Sequence, residues 1–394
     1  MKLKFIDPRM FKFIDWLLFA NIIVLVLFSF VAIASADSEP LTEDIGSLSA
    51  AVAQLDLTHV MQQIAWFGIS LFAMFIVLLP DYHAIAEYYK WIYVIIVGLL
   101  IAVYFFGSNE GGATGWFRIG QAGFQPSEIG KVGMIIVMAQ MISKKTQGRD
   151  GGIKTVKDLL PILGVFLVPV LLIVIQPDWG TAMVYIFTFI SMLFLAKTSL
   201  KLIGGLFASA AVVLPLLWFF VLTEKQKGRF YTFLGIEQAG MTQEQIKALH
   251  YQSDKAKVAV GAGQVYGKGL FSLGGESKLS NIPERHTDFI FASTSEAIGF
   301  LGIMVVILLY FILIFRTLYL ATKAKDDFGS HIIIGVLAMT LFHIFENIGM
   351  NIGVMPITGI PLPFISSGGS NLLTNMIAFG LVINVSMRRQ RWSF

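Results

Sequence analysis

The stretch NIPERHTDFIFASTS, residues 281–295, gathers ionisable side chains at the start of a long apolar run. Its charged members are Glu284, Arg285 and Asp288, with His286 between them. Ionisable groups at a membrane boundary are costly to keep there and usually serve a function. A carboxylate partly removed from water has a raised pKa and is a better general base. We therefore expect Asp288 to act as a base, with capping of the next helix as the alternative role.

The composition is that of a membrane protein. Of the 394 residues, 56% are hydrophobic and 14% are charged, whereas soluble domains carry about a quarter of charged residues. The chain has no cysteine, which excludes disulfides, thiolate nucleophiles and cysteine-ligated metals. We expect an all-α integral membrane protein that forms a single polytopic domain over residues 1–394.

Apolar runs long enough to cross a bilayer, about 17–25 residues each, recur along the chain and predict about ten transmembrane helices. The predicted spans are 13–35, 60–79, 91–107, 128–143, 158–175, 180–196, 202–221, 288–315, 331–353 and 371–387. We expect the first span to be retained, because its apolar core is longer than the roughly 7–15 residues of a signal peptide.

Positive charges alternate between the two sides of these spans and predict the orientation. The short connections 36–59 and 355–370 have no Lys or Arg, and 108–127 has only Arg118. The other side carries the termini and the basic connections, with Lys2, Lys4, Arg9, Lys12, Lys144, Lys145, Arg149, Lys154, Lys157, Lys197, Lys201, Arg316, Lys323, Lys325, Arg388, Arg389 and Arg391. Both termini are therefore predicted to be cytoplasmic.

The connection 222–287 is predicted to be a large extracytoplasmic loop. It has nine Lys and Arg residues against six Asp and Glu, and 241–260 reads as an amphipathic helix. We expect a small, partly helical cap on the outer membrane surface. Its basic charge suits an anionic lipid headgroup or pyrophosphate; a solvated loop with scattered charges is the alternative.

Two further motifs place carboxylates at helix starts. In GWFRIGQAGFQPSEIGK, Pro126 suits a first helical position, and Glu128 and Lys131 are spaced to pair on one helical face. Such a pair could instead only fix helix register. In QPDWGT, Asp178 either belongs to the site or caps the next helix.

Polar groups also occur later in the chain. His343, Glu346 and Asn347 fall within the ninth span, where a contact between helices is the common role. The segment PITGIPLPFISSGGSN, 356–371, then brings hydroxyls and backbone N–H groups to a helix start, which suits phosphate or carboxylate. The hydroxyls concerned are those of Ser366, Ser367 and Ser370, and helix capping would use the same residues.

A lone base is sufficient for an inverting sugar transfer if the leaving group is already good. Lipid pyrophosphate is such a group and needs cations rather than a general acid. The basic loop, with Arg118, Lys131 and Arg285, is predicted to supply them.

The motifs IPERHTDFIFA, QPSEIGK, QPDWGT and PITGIPLPFISSGGS together resemble the SEDS family, which includes RodA and FtsW. The resemblance covers nearly the whole chain, and the PITG form is similar to the elongation type, RodA. It implies a peptidoglycan glycosyltransferase that polymerises lipid II on the outer face of the bacterial cytoplasmic membrane. It also implies a class B penicillin-binding transpeptidase as partner; no nucleic acid is expected.

Residue by residue, the resemblance matches the family's catalytic Asp to Asp288. It matches the Glu and Lys of the QPSE motif to Glu128 and Lys131, and the QPD aspartate to Asp178. Two positions depart from the family pattern: a Glu-Glu pair reads Glu296-Ala297, and the Tyr of SYGGS is Ser367.

The resulting hypothesis is that Asp288 deprotonates the GlcNAc 4-hydroxyl of an acceptor lipid II. The oxygen then attacks the anomeric carbon of MurNAc in the lipid-linked donor and releases undecaprenyl pyrophosphate. His286 lies beside the base, and a divalent cation, Mg²⁺ or Mn²⁺, is an open possibility beside the pyrophosphate.

Two other classes of function remain open. A lipid II flippase would use Glu128, Lys131 and Asp178 as a polar path, but these groups gather near one end of the helices, whereas a path needs polar lining at mid-membrane. A structural scaffold for wall enzymes would leave the polar cluster without a role.

Overall fold

Helices dominate the computed structural model of the protein. It describes residues 12–38, 54–110, 113–119, 122–147, 152–220, 222, 224–236, 243–271 and 284–388. Within this part of the chain there are thirteen α-helices. They are α1 (Trp16–Asp37), α2 (Thr58–Leu78), α3 (Tyr82–Glu87), α4 (Tyr89–Phe106), α5 (Pro126–Thr146), α6 (Val156–Ile175), α7 (Trp179–Leu195), α8 (Leu200–Phe220), α9 (Glu224–Leu234), α10 (Gln243–Ala262), α11 (Ile290–Thr322), α12 (Asp327–Ile352) and α13 (Gly369–Met387).

Each of the ten predicted spans corresponds to one helix, and the protein is a multi-pass membrane protein. Among the described residues, eight helices are long and apolar enough to cross a membrane: α1, α2, α4, α6, α8, α11, α12 and α13. Helix α7 is apolar but has 17 residues. Helix α5 contains four charged side chains and packs inside the bundle against α4, α7, α12 and α13. The basic residues Lys2, Lys4, Arg9, Arg149, Arg389 and Arg391 lie outside the described residues.

The centre of the bundle consists of α5, α12 and α13. In the most apolar stretch of α13, 89% of the residues are buried, against 67% in α12 and 6% in α8. The helices around this centre direct large side chains outward, such as Phe72, Phe105 and Phe219. Apolar side chains can face outward there because lipid tails are as apolar as a protein core.

A small antiparallel sheet occupies the connection between α4 and α5, which the sequence analysis treated as a loop. Its strands are β1 (Ser108–Glu110), β2 (Ala113–Ile119) and β3 (Ala122–Phe124), in the order β1-β2-β3. Strand β2 pairs antiparallel with both β1 and β3. The sheet holds Arg118 at the same end of the bundle as the start of α5.

Helix α11 is interrupted at Gly299, where φ is +66°. The segment after α10 fills the break: Gln264 O accepts from Phe300 N at 2.8 Å, and Lys268 N donates to Glu296 O at 2.9 Å. A broken helix in a membrane protein is tolerated when neighbouring groups satisfy its backbone. The cap formed by α9 and α10 is thereby joined to the bundle, and α10 confirms the predicted amphipathic helix.

Candidate active site

A cavity of about 850 Å³ opens at the end of the bundle where α5, α7 and α13 begin. It is lined by α2, the sheet, the first turns of α5 and α7, helix α9, the segment before α11 and the segment between α12 and α13. Among the residues predicted from sequence, those that line it are Arg118, Glu128, Asp178, His286, Asp288, Ser367 and Ser370. Motifs far apart in sequence therefore share one wall.

Asp288 lies in a turn immediately before α11, and its main chain is held in place by two amides from α12. Asn347 and Asn351 donate to Asp288 O at 2.9 and 3.1 Å. Within the described residues, its carboxylate forms no hydrogen bond, and the cap position of α11 is Phe289 without a side-chain cap. The carboxylate of Asp288 therefore does not cap α11.

Burial, together with the charge of Glu284, raises the pKa of Asp288 to about 6, although Arg229 and His286 act to lower it. A base with this pKa is largely deprotonated at neutral pH yet still takes up a proton readily. Gly359 gives the carboxylate room, since a Cβ there would lie 3.2 Å from Asp288 Oδ2. The side chain is thus accessible from the cavity.

Arg229 is a lining residue that the sequence analysis did not single out. It lies in α9, and burial lowers its pKa while Asp288 and Asp178 raise it. A guanidinium at a cavity wall is suited to binding an anionic group such as a phosphate. Arg229 is one of nine basic residues in the loop 222–287, and its position in the sequence does not distinguish it from the others. The only sequence signal for burial is the aromatic residue that follows it, Phe230, which also lines the cavity.

Glu128 and Lys131 form the predicted pair on α5. Lys131 Nζ lies 2.7 Å from Glu128 Oε1 and 2.8 Å from His343 Nε2. Lys131 is 3% exposed and is not among the residues lining the large cavity, whereas Glu128 and His343 are. The ammonium is therefore occupied behind the wall, and the structure does not bring it to the position expected for a pyrophosphate cation.

Asp178 caps α7 and also faces the cavity. Its Oδ1 accepts from Thr181 N at 3.1 Å and its Oδ2 accepts from Gln125 Nε2 at 2.9 Å. Burial raises the pKa of Asp178. Both roles considered from sequence are thus combined in one side chain, because the start of a helix forms part of the cavity wall.

The three predicted serines differ in what they contact. Ser366 Oγ donates to Thr287 O at 2.7 Å and accepts from Leu362 N, so this hydroxyl fixes the loop rather than lining the cavity. Ser370 Oγ donates to Gly123 O at 3.2 Å and thereby joins α13 to β3. Ser367 lines the cavity.

Arg285 and His286 contact the end of α1. Arg285 Nη2 donates to Asp37 O at 2.7 Å and does not line the cavity, so it is not brought to the place expected for a pyrophosphate cation. His286 lies at the rim and Arg118 is an exposed residue of the wall.

One of the two positions that depart from the family pattern lies away from the cavity. Glu296 Oε1 pairs with Lys268 Nζ at 2.9 Å, and Glu296 does not line the cavity.

Known proteins are similar to this chain in sequence and in fold. The model of the FtsW/RodA/SpoVE family, described as "Cell cycle protein", matches residues 15–391. Peptidoglycan glycosyltransferase MrdB of Escherichia coli K12 is 36% identical over 303 residues, which are 77% of this chain and 79% of that protein.

Solved structures agree. A chain from a structure described as "Structural coordination of polymerization and crosslinking by a peptidoglycan synthase complex" superposes with a TM-score of 0.76 at 26% identity, covering 96% of this chain and 99% of that one. The rod shape determining protein RodA of Thermus thermophilus superposes with a TM-score of 0.65 at 24% identity, covering 96% and 98%, and shares the fold.

Proposed function

The chain belongs to the FtsW/RodA/SpoVE family, and on this premise we propose that it is a peptidoglycan glycosyltransferase that polymerises lipid II. The relative from Escherichia coli bears that enzyme name. The observation that carries the proposal is the carboxylate of Asp288, without a hydrogen bond among the described residues, in a cavity of about 850 Å³ shared with Arg229.

In this mechanism Asp288 accepts the proton of the GlcNAc 4-hydroxyl as that oxygen attacks the anomeric carbon of the donor MurNAc. The new C–O bond forms as the bond to pyrophosphate breaks, and the configuration inverts. The raised pKa of Asp288, about 6, supports its role as a general base at neutral pH.

Arg229 and Arg118 are the cations proposed to bind the departing pyrophosphate. Arginine offers paired donors that match phosphate oxygens, and both residues line the cavity. A divalent cation, Mg²⁺ or Mn²⁺, would add positive charge beside the pyrophosphate. Mg²⁺ is commonly held by one or two carboxylates together with substrate phosphates, so Asp178 and Glu284, which line the cavity, fit that role.

We place the site on the outer face of the bacterial cytoplasmic membrane, with both termini in the cytoplasm. The distribution of Lys and Arg supports this orientation. We propose a class B penicillin-binding transpeptidase as partner and a role in cell-wall elongation. The similar chain from a peptidoglycan synthase complex and the PITG motif support these two points.

The test compares the purified protein with its Asp288→Asn variant, supplied with lipid II in detergent, by the amount of glycan polymer on a gel. We expect Asp288→Asn to lower the rate about 100- to 10,000-fold, as is usual for the loss of a general base. Asp254→Asn is the matched control, since it removes an exposed carboxylate on α10 and should leave the rate unchanged.

Polymer formed at equal rates by wild type and Asp288→Asn would contradict the role of Asp288. No polymer from the wild type, even with a transpeptidase partner, would contradict the enzyme. Lipid II translocation in vesicles that survives Asp288→Asn but is lost in Glu128→Gln would favour a flippase instead.

A further inference from the structure

Three side chains from separate parts of the chain meet at the rim of the cavity. Asp37 ends α1, His59 lies in the first turn of α2, and His286 precedes α11. The His59 Nδ1–Asp37 Oδ2 distance is 2.9 Å, and the His286 Nδ1–Asp37 Oδ1 distance is 3.1 Å. One ligand atom from each lies within 4.8 Å of the other two. We propose that this cluster binds a divalent transition-metal ion of the zinc class.

The donor set suits such an ion. Two imidazole nitrogens and one carboxylate oxygen are ligands that zinc and its neighbours prefer, whereas Mg²⁺ prefers oxygen ligands. Tetrahedral coordination with bonds of about 2.1 Å places ligand atoms about 3.4 Å apart. The two His–Asp distances, 2.9 and 3.1 Å, are shorter than this value and involve different oxygens of Asp37, so the three side chains must shift before one ion can bind to all of them.

The three residues differ in exposure, and the site is open on the side of its two histidines. The side chain of Asp37 is 6% exposed, whereas those of His286 and His59 are 20% and 36% exposed. Both histidines line the cavity. Zinc sites with three protein ligands keep a fourth position for water or another ligand, and here that position faces the cavity.

Neighbouring groups hold the main chain of two of the ligands. Arg285 Nη2 donates to Asp37 O at 2.7 Å, and Ser367 N donates to His286 O at 2.9 Å. The two imidazole rings are stacked, with centroids 3.9 Å apart and planes 19° from parallel. A metal ion lies in the plane of an imidazole that binds it, so at least one of these nearly parallel rings must turn when the ion binds. The same contacts occur in a metal-free His–Asp–His arrangement, and the experiment separates the two.

A metal here would join α1, α2 and the segment before α11, two residues from Asp288. Because each ligand comes from a different element, the bound ion would hold the rim of the cavity together. Binding can be measured without any assay of glycan synthesis, so the inference does not depend on the proposed function.

The test uses the full chain in detergent, treated with a chelator and then titrated with Zn²⁺ or Co²⁺. We expect one ion to bind per chain and the melting temperature to rise. Asp37→Asn should weaken binding at least about tenfold. His83→Gln is the matched control, because His83 also contacts aspartates, at 3.0 and 3.2 Å, but in a separate cluster, and it should leave the affinity unchanged.

A second variant gives a direct signal for the site. The chain has no cysteine, so His59→Cys introduces a single thiol that replaces one ligand with another. We expect Co²⁺ to give a thiolate-to-metal charge-transfer absorption with His59→Cys and none with His83→Cys. This result does not depend on whether Asp37→Asn folds. Absence of Zn²⁺ and Co²⁺ binding by the wild type, or equal absorption in both cysteine variants, would overturn the proposal.

Discussion

Two carboxylates in the same cavity have different surroundings. Glu128 is paired with Lys131 at 2.7 Å, whereas the carboxylate of Asp288 has no hydrogen bond among the described residues. A paired carboxylate keeps its charge and holds its partner, while a desolvated one without donors takes up a proton more readily. This difference supports the proposal that Asp288, rather than Glu128, accepts the proton.

Arg229 is expected to tune this base. Because its charge lowers the pKa of Asp288, Arg229→Gln should raise that pKa. Polymerisation requires the deprotonated form of Asp288. The wild-type rate should therefore decrease as the pH is lowered through about 6. In Arg229→Gln the rate should begin to decrease at a higher pH. The measurement is the rate against pH.

Arg118→Gln is the control for the shift in the pH profile expected of Arg229→Gln. Arg118 is exposed and is not among the charges that shift the pKa of Asp288, so its loss should weaken substrate binding and leave the pH profile in place. An unchanged profile in Arg229→Gln would show that Arg229 does not act on the base.

The Glu128–Lys131 pair is expected to matter for stability. Both side chains are buried, and Lys131→Met would leave Glu128 as an unpaired charge, which costs about 3–5 kcal/mol. The double variant Glu128→Gln with Lys131→Met removes both charges and should recover most of this loss. Thermal unfolding in detergent measures it, and a double variant no more stable than Lys131→Met would contradict the explanation.

At the scale of the elements, α11 is divided into two helical parts by Gly299. Gly267, with φ of +81°, packs against the break, and a Cβ on it would lie 2.3 Å from Ala297 O. Only residues without a side chain fit two backbones this close. The contact joins the cap to the helix that begins just after Asp288.

Gly299→Ala should therefore destabilise the protein. Its φ is +66°, and a Cβ would lie 2.2 Å from Gly267 N, so the strain should cost on the order of 3 kcal/mol. Gly204→Ala in α8 is the control, because nothing lies within 4 Å of its Cβ position, and it should be neutral or stabilising by about 1 kcal/mol. Equal melting temperatures for the two variants would contradict this account.

At the scale of the whole molecule, the polar groups that line the cavity lie together at one end of the bundle. The cavity, the sheet and the cap share that end, while the outward faces of α4 and α8 are apolar. A second polar cluster, around His83 and Asp326, lies apart from the cavity lining. Burial acts to raise the pKa of Asp326, but hydrogen bonds from His83 and Tyr82 lower it to about 2, and the contacts with Asp326 and Asp81 raise the pKa of His83 to about 9.

The orientation of the whole molecule can be tested with cysteines, because the chain has none. Tyr266, 82% exposed in the cap, should lie outside the cell, and Lys323, after α11, should lie in the cytoplasm. A membrane-impermeant maleimide added to intact cells, or to spheroplasts if an outer membrane is present, should label Tyr266→Cys and not Lys323→Cys. Labelling of Lys323→Cys alone would reverse the proposed orientation.

The sequence by itself determined the spans, because the bilayer demands long apolar helices that satisfy their own backbone. It also determined the pairing of Glu128 with Lys131, since their spacing places them on one helical face. Asp288 could be chosen from its neighbours and from the family resemblance. Its role remains a proposal.

Only the tertiary structure decided which charges face the cavity. It paired Lys131 with Glu128 and His343, and Arg285 with Asp37, so that neither cation lines the cavity. It also brought Arg229 to the cavity from a loop with nine basic residues. It also gathered Asp37, His59 and His286 from three elements. The physical reason is that local periodicity fixes the face of a helix, whereas the direction of a side chain in a loop depends on the burial and charge that distant segments supply.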